Sequence, residues 1–165
     1  MAVSLSRRNL FGLGRVPGHR PILPPGVTAK DLLDCSGCGS CVEICPTHII
    51  ALADGLPELD FHRGECTFCG ACARVCPEQV FKNGASERFD HVATIGDACF
   101  AHHSVECQSC RDSCPEDAIC FRPRAGGPFL PFIDEDACNG CGACVGICPA
   151  AAITMRGSSA ETAHA

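Results

Sequence analysis

The chain has no Trp, no Tyr, two Met and nine Phe in 165 residues. A core built on large aromatics is thereby excluded. Its hydrophobic share of 46% includes 17 Cys and 20 Ala, leaving 39 Val, Ile, Leu, Met and Phe to fill an interior. So little aliphatic material requires staples or bound metal to supply what apolar burial does not. No apolar run approaches the roughly 18 residues needed to cross a bilayer, so insertion into a membrane is not expected. A net charge of −6 argues against a general nucleic-acid binder.

Acid is missing from one end altogether. Residues 1–30 carry Arg7, Arg8, Arg15, Arg20 and Lys30 with no Asp or Glu, so this stretch is +5 and the rest of the chain is −11. Its Pro17, Pro21, Pro24 and Pro25, with four Gly, oppose a continuous helix, and residues 1–30 are expected to form an extended, mobile arm. Within it, Ser6-Arg7-Arg8-Asn9-Leu10-Phe11 looks like a twin-arginine export motif. The apolar stretch that must follow such a motif is broken by Gly12, Gly14, Arg15 and Pro17. Retention in the cytoplasm is therefore expected, with the arm either a solvated tail or a docking segment through which Arg7 and Arg8 contact a partner. A small, polar tail is expected over 157–165.

What the chain has in abundance is cysteine, and it is placed in a repeat. Cys35, Cys38, Cys41, Cys45-Pro46 forms a first block, Cys66, Cys69, Cys72, Cys76-Pro77 a second, and Cys138, Cys141, Cys144, Cys148-Pro149 a fourth, all with two, two and three intervening residues. The third block departs from this spacing. Cys107, Cys110 and Cys114-Pro115 keep the last two intervals, but the leading cysteine lies upstream at Cys99, where Asp97-Ala98-Cys99 matches Asp136-Ala137-Cys138. Two hairpins are expected between blocks: Ile49–Leu52 with Leu56–Leu59 around Asp54-Gly55, and Ile119–Phe121 with Phe129–Ile133 around Gly126-Gly127. Blocks one and two then form a unit over 31–83 and blocks three and four a unit over 95–156, joined by a linker at 84–94.

A cubane [4Fe-4S] cluster needs four thiolates at the corners of a tetrahedron. A loop with two-residue intervals wraps three irons, and the fourth ligand comes from elsewhere. This run resembles the two-cluster bacterial ferredoxins, in which the Cys before Pro ligates the other cluster of the pair. The resemblance implies an α+β fold of two tandem dicluster ferredoxin-like modules, with short hairpins and short helices around the clusters. It implies four ligand sets: Cys35, Cys38, Cys41 with Cys76; Cys66, Cys69, Cys72 with Cys45; Cys138, Cys141, Cys144 with Cys114; and Cys99, Cys107, Cys110 with Cys148. Gly37, Gly39, Gly70, Gly140 and Gly142 lie between ligands, where a missing side chain lets backbone N–H groups approach sulfide.

Zinc prefers pairs of Cys-x-x-Cys separated by a longer span and gives no reason for three close ligands four times over. Disulfides suit an oxidising compartment and an even count. The third block's inserted Phe100–Glu106 segment points to a more exposed or more labile site, and His102 and His103 read as solvated residues of that insert. Cys120 aligns, counting from Cys-Pro, with Ala51, Lys82 and Thr154, so it reads as a packed or partly exposed thiol outside the ligand sets. Phe11, Phe68 and Phe100 read as packing. No catalytic triad, phosphate loop or dinucleotide fingerprint is present, and no enzymatic activity of the chain's own is expected.

Taken over its whole length, the sequence resembles the NapF family of ferredoxin-type proteins of periplasmic nitrate reductase systems. The likeness is carried by Ser6-Arg7-Arg8, by Thr94-Ile95-Gly96-Asp97-Ala98-Cys99 leading to Ser104-Val105-Glu106-Cys107, by Phe121-Arg122-Pro123, and by Cys138-Asn139-Gly140-Cys141-Gly142-Ala143-Cys144. It implies a cytoplasmic iron–sulfur accessory protein that contacts the catalytic subunit NapA before export and assists maturation of its site. A plain carrier of single electrons between redox enzymes is the other reading of the same clusters.

Overall fold

The computed structural model describes residues 21–78, 80–81 and 86–157. Arg7, Arg8 and the Ser6-Arg7-Arg8 motif lie outside the described residues, as does the tail beyond Gly157. Among the described residues the regular elements are short, in the order α1 (Ser40–Ile44), β1 (Ile50–Ala53), β2 (Leu56–Leu59), α2 (Ala71–Val75), β3 (His91–Ile95), α3 (Ser109–Asp112), β4 (Ile119–Arg122), β5 (Leu130–Ile133), α4 (Ala143–Gly146) and β6 (Ile153–Gly157). A 3-10 turn at Asp31–Asp34 leads into the first block. Helices of four or five residues do not persist alone in water. Each of these is tied at its ends by the cysteines of its block.

Three antiparallel pairs make up the sheets: β1 with β2, β4 with β5, and β3 with β6. The first turn is fixed by Asp54 (φ 53°) and Gly55 (φ 84°), the two left-handed residues that match a tight hairpin to strand twist. The second hairpin begins and ends within a residue of expectation. The third pair was not foreseen. Residues 91–94, expected as linker, form most of β3 and pair with β6 in a register running from His91 opposite Gly157 to Ile95 opposite Ile153. The reason is alternation too short to read as a strand: Val92 and Ala93 are buried, and their partner strand lies some sixty residues on. The tail expected from 157 likewise gives its first residue, Gly157, to β6.

The arm is also shorter than expected. Pro24 is fully buried and Val27 is buried, and the Ile22 carbonyl accepts the Leu59 N–H at 2.8 Å. Asp31 is buried as well, its carboxylate accepting from Thr28 N–H at 2.9 Å and Thr28 Oγ1 at 2.6 Å, which locks the turn into Cys35. Residues 21–30 are thus part of the packed body, held by apolar burial that composition alone does not register.

One core runs through both halves. Ile49, Ile50, Leu59 and Phe61 from the first half meet Phe89, Ala93, Ile119, Val145 and Ile153 from the second, with Cys45 and Cys144 among them. Phe61 is the gasket, edge-on to Phe89 (centroids 6.1 Å) and tilted on His91 (5.8 Å). It rests where Gly142 has no side chain, since a Cβ there would fall within its ring. No helix among the described residues is long and apolar enough to cross a membrane.

Candidate iron–sulfur centres

Each block folds its cysteines around a one-turn helix. In blocks one, two and four that helix starts after a left-handed glycine, Gly39 (φ 81°), Gly70 (φ 67°) and Gly142 (φ 85°), a conformation that costs other residues about 1–2 kcal/mol. The third block does without it. Gln108 takes the equivalent place with φ −130°, so the chain enters α3 on a different path, and the displaced leading cysteine, Cys99, compensates.

Four cavities are lined by the sixteen block cysteines, four to a cavity. Cys35, Cys38, Cys41 and Cys76 line one. Cys45 joins Cys66, Cys69 and Cys72 in the next. Cys114 joins Cys138, Cys141 and Cys144, and Cys99, Cys107 and Cys110 meet Cys148. These are the groupings that ligand crossing requires. In every case three thiols come from one loop and the fourth from the Cys-Pro of the partner block.

The donor set, four thiols to each cavity, is the all-cysteine set that a [4Fe-4S] cluster takes. When bound, a [4Fe-4S] cluster supplies one-electron chemistry at a potential tuned by hydrogen bonding and exposure.

Electrostatics separate the thiols. Burial pushes Cys66 and Cys110 up to about 11 and Cys144 up to about 12, and raises Cys41, Cys72 and Cys141 as well. Metal ligation replaces those protons. Two thiols run the other way. The Ser40 hydroxyl, 3.4 Å from Cys38 Sγ, lowers Cys38. At Cys45 burial opposes the thiolate, but the Thr47 hydroxyl at 3.5 Å and nearby backbone N–H groups outweigh it.

Hydroxyls beside sulfur escape a reading centred on cysteine, although a signal exists. Cys38-Gly39-Ser40 and Cys107-Gln108-Ser109 place Ser where Cys69-Gly70-Ala71 and Cys141-Gly142-Ala143 place Ala, and Ser109 Oγ lies 3.8 Å from Cys107 Sγ. The insert in the third block is more ordered than its length implies. His102 and Val105 N–H groups bond back to Cys99 and Phe100 carbonyls at 2.9 and 3.0 Å, Ala101 is fully buried, and Arg124 reaches the Ala101 carbonyl and Ser104. His102 and His103 are exposed, His103 Nε2 bonding the Asp97 carbonyl at 2.8 Å. Cys120 lines none of the four cavities. Phe68 lines the second block's cavity and Phe100 the third block's.

Comparison with known proteins agrees with this chemistry. Residues 34–80 and 105–161 match the 4Fe-4S dicluster domain family. Ferredoxin-type protein NapF of Escherichia coli (strain K12) is 40% identical over 94% of this chain and 97% of its own length. NapF of Haemophilus influenzae is 47% identical over 74% of this chain and 70% of its own length. Ferredoxin-type protein NapG of Escherichia coli is 30% identical over 81% of this chain and 68% of its own length. Two dicluster domains and sixteen cysteines in four blocks give [4Fe-4S] clusters, about four in all, as the cofactors. The end-to-end likeness includes the irregular third block, and the chain belongs to the NapF family of ferredoxin-type iron–sulfur proteins.

Proposed function

We propose that this protein is a cytoplasmic accessory protein of a periplasmic nitrate reductase system. Its two tandem ferredoxin modules, 31–83 and a second beginning near His91, assist maturation of the catalytic subunit NapA before export. Each cavity's four cysteines ligate one cluster in the crossed pattern set out above. The observation that carries the reading is likeness to NapF across 97% of that protein, together with a third block that keeps four thiols around one cavity despite its unusual spacing. The basic stretch bearing Arg7 and Arg8 is the proposed contact for NapA.

The test is co-purification of the NapA precursor with this chain from the cytoplasmic fraction. Binding is expected to weaken when Arg7 and Arg8 are both replaced by Ala, with iron content unchanged. Precursor that neither binds this chain nor loses its cluster when the chain is deleted would refute the reading. A role as electron carrier draws on a different observation, the backbone hydrogen bond that joins the two halves at their ligand loops.

A further inference from the structure

The second and fourth blocks meet through the ligand residues themselves. The Cys66 N–H donates to the Cys141 carbonyl oxygen at 2.8 Å, and these cysteines line two different cavities, one in each half. From Sγ to Sγ the connection runs along Cβ, Cα and N of Cys66, across the hydrogen bond, and along C, Cα and Cβ of Cys141. With ordinary bond lengths this contour is about 14 Å, an upper limit on the sulfur-to-sulfur distance.

The contact is built rather than incidental. Phe61, five residues before Cys66, fills the space over Gly142, and a Cβ on Gly146 would press on the Phe61 and His62 carbonyls at 3.2 and 3.3 Å. Phe89 bridges the same seam, its N–H bonding the Asn139 carbonyl at 3.0 Å and its ring lying 5.2 Å from Phe68 in the lining of the second block's cavity. Arg88 adds hydrogen bonds to the Glu135 and Asp136 carbonyls, both at 2.6 Å. Within each half the cavities also adjoin. Cys41 of one lies close enough to Cys72 of the next to raise it, and α3 carries Cys110 on the way to Cys114.

We propose that the four centres form one continuous electron path, in the order Cys35 set, Cys66 set, Cys141 set, Cys99 set, with the Cys66–Cys141 hydrogen bond as the crossing between halves. Each crossing moves one electron: the centre at Cys141 is oxidised, the centre at Cys66 is reduced, no proton moves and no bond breaks. Phe61, Phe89, Gly142 and Gly146 are positioning residues that hold the two loops at this distance. This inference rests on the four cavities holding clusters and is independent of whether NapA is the partner.

Cys120, outside every cavity and in the second half, is a handle for testing it on the full, loaded chain. A thiol-reactive ruthenium photoreductant attached there, with a tertiary amine as sacrificial electron source, injects electrons into the second half only, provided the protein is held at low density on resin so that molecules cannot exchange electrons. The reverse sample carries the label in the first half, on Leu33→Cys with Cys120→Ala; Leu33 is 86% exposed. Bleaching from either label is expected to reach the full amplitude that dithionite gives on the same sample. Bleaching that halts at the share of one half from both labels would overturn the path. In Gly146→Leu, with iron content unchanged, the cross-half phase is expected to slow several-fold while the phase within each half keeps its rate. Equal slowing of both phases would show that the seam does not carry the crossing. An iron content of two clusters per chain would instead defeat the occupancy on which the path rests.

Discussion

Cys45 lies on the first block's loop, yet its thiol shares a cavity with Cys66 of the second. Burial raises Cys66 and Cys72 most, and the charge of Cys45 as thiolate adds a smaller share. Removing Cys45 should therefore damage the centre of Cys66, Cys69 and Cys72, leaving that of Cys35, Cys38 and Cys41 in place. Electron paramagnetic resonance of Cys45→Ala against Cys35→Ala and Cys69→Ala distinguishes the outcomes. Cys45→Ala should lose the signal that Cys69→Ala loses. A loss shared with Cys35→Ala alone would mean that each block closes its own cluster.

Sixteen thiols in four cavities predict about 16 iron and 16 sulfide per chain after anaerobic purification, four of each for every cubane. A reproducible value near 12 iron, unaffected by Cys99→Ala, would remove the centre of the third block. Stoichiometric zinc in place of iron would sink the cluster assignment altogether.

Hydrogen bonds to sulfur stabilise the more negative, reduced centre and raise its potential. Ser40 stands 3.4 Å from Cys38 Sγ, whereas the second block has Ala71 in the same place. Ser40→Ala should lower the potential of the Cys35 set by tens of millivolts, and Ala71→Ser should raise that of the Cys66 set. Redox-poised spectra of the two variants check both signs. Unshifted midpoints in both would show that the hydroxyl does not reach the sulfur in the loaded protein.

Legibility was uneven, and the reasons are physical. The four blocks were readable because ligand spacing is local, and the Asp54-Gly55 hairpin because its turn needs two left-handed residues in a row. The β3–β6 pair was not readable: Val92 and Ala93 gain their burial from a partner strand far along the chain, and only five residues are involved. Pro24 and Val27 read as arm because proline and glycine dominate their neighbourhood, whereas burial against the first half decides their state. The roles of Gly140 and Gly142 were half readable. Both take positive φ as a ligand loop requires, but what forbids a side chain is the His91 carbonyl for one and the Phe61 ring for the other.

Gly37 offers a stability test of the same kind. Its φ is +67°, and a Cβ would lie 2.7 Å from the Gly55 carbonyl oxygen in the hairpin turn. Gly126 has φ +71° with open space around it. Gly126→Ala should cost about 1–2 kcal/mol from backbone strain alone, and Gly37→Ala about 2–4 kcal/mol, because the hairpin must also move. Cluster loss at fixed temperature, followed by visible absorption, reads the difference as a rate, since unfolding with loss of iron is irreversible. Equal rates for the two variants would mean that the Gly37 loop is free of the hairpin.

His91 is a titratable group at the seam between halves, and its pH response has a definite sign. His91 is stacked on Phe89 at 4.5 Å, and its Nε2 bonds the Gly140 carbonyl at 2.9 Å. Burial lowers its pKa below the ordinary 6.5, against smaller raising effects of the Gly140 bond and Asp90. The folded state thus binds fewer protons than the unfolded state between the lowered value and 6.5, and stability rises with pH across that window. The contribution is fully present above about 6.5 and is lost as pH falls through the folded value. Carboxylates and thiolate ligands add their own acid sensitivity, so the comparison is with His91→Gln, whose amide can still donate to Gly140 but does not titrate. Rates of cluster loss at pH 7.5 and pH 5.5 should differ more in the wild-type protein than in His91→Gln, because only the former must protonate a buried ring. If the two proteins show the same ratio of rates, the imidazole is not what acid acts on at the seam, and the Phe61–Phe89–His91 contact holds the halves together by packing alone.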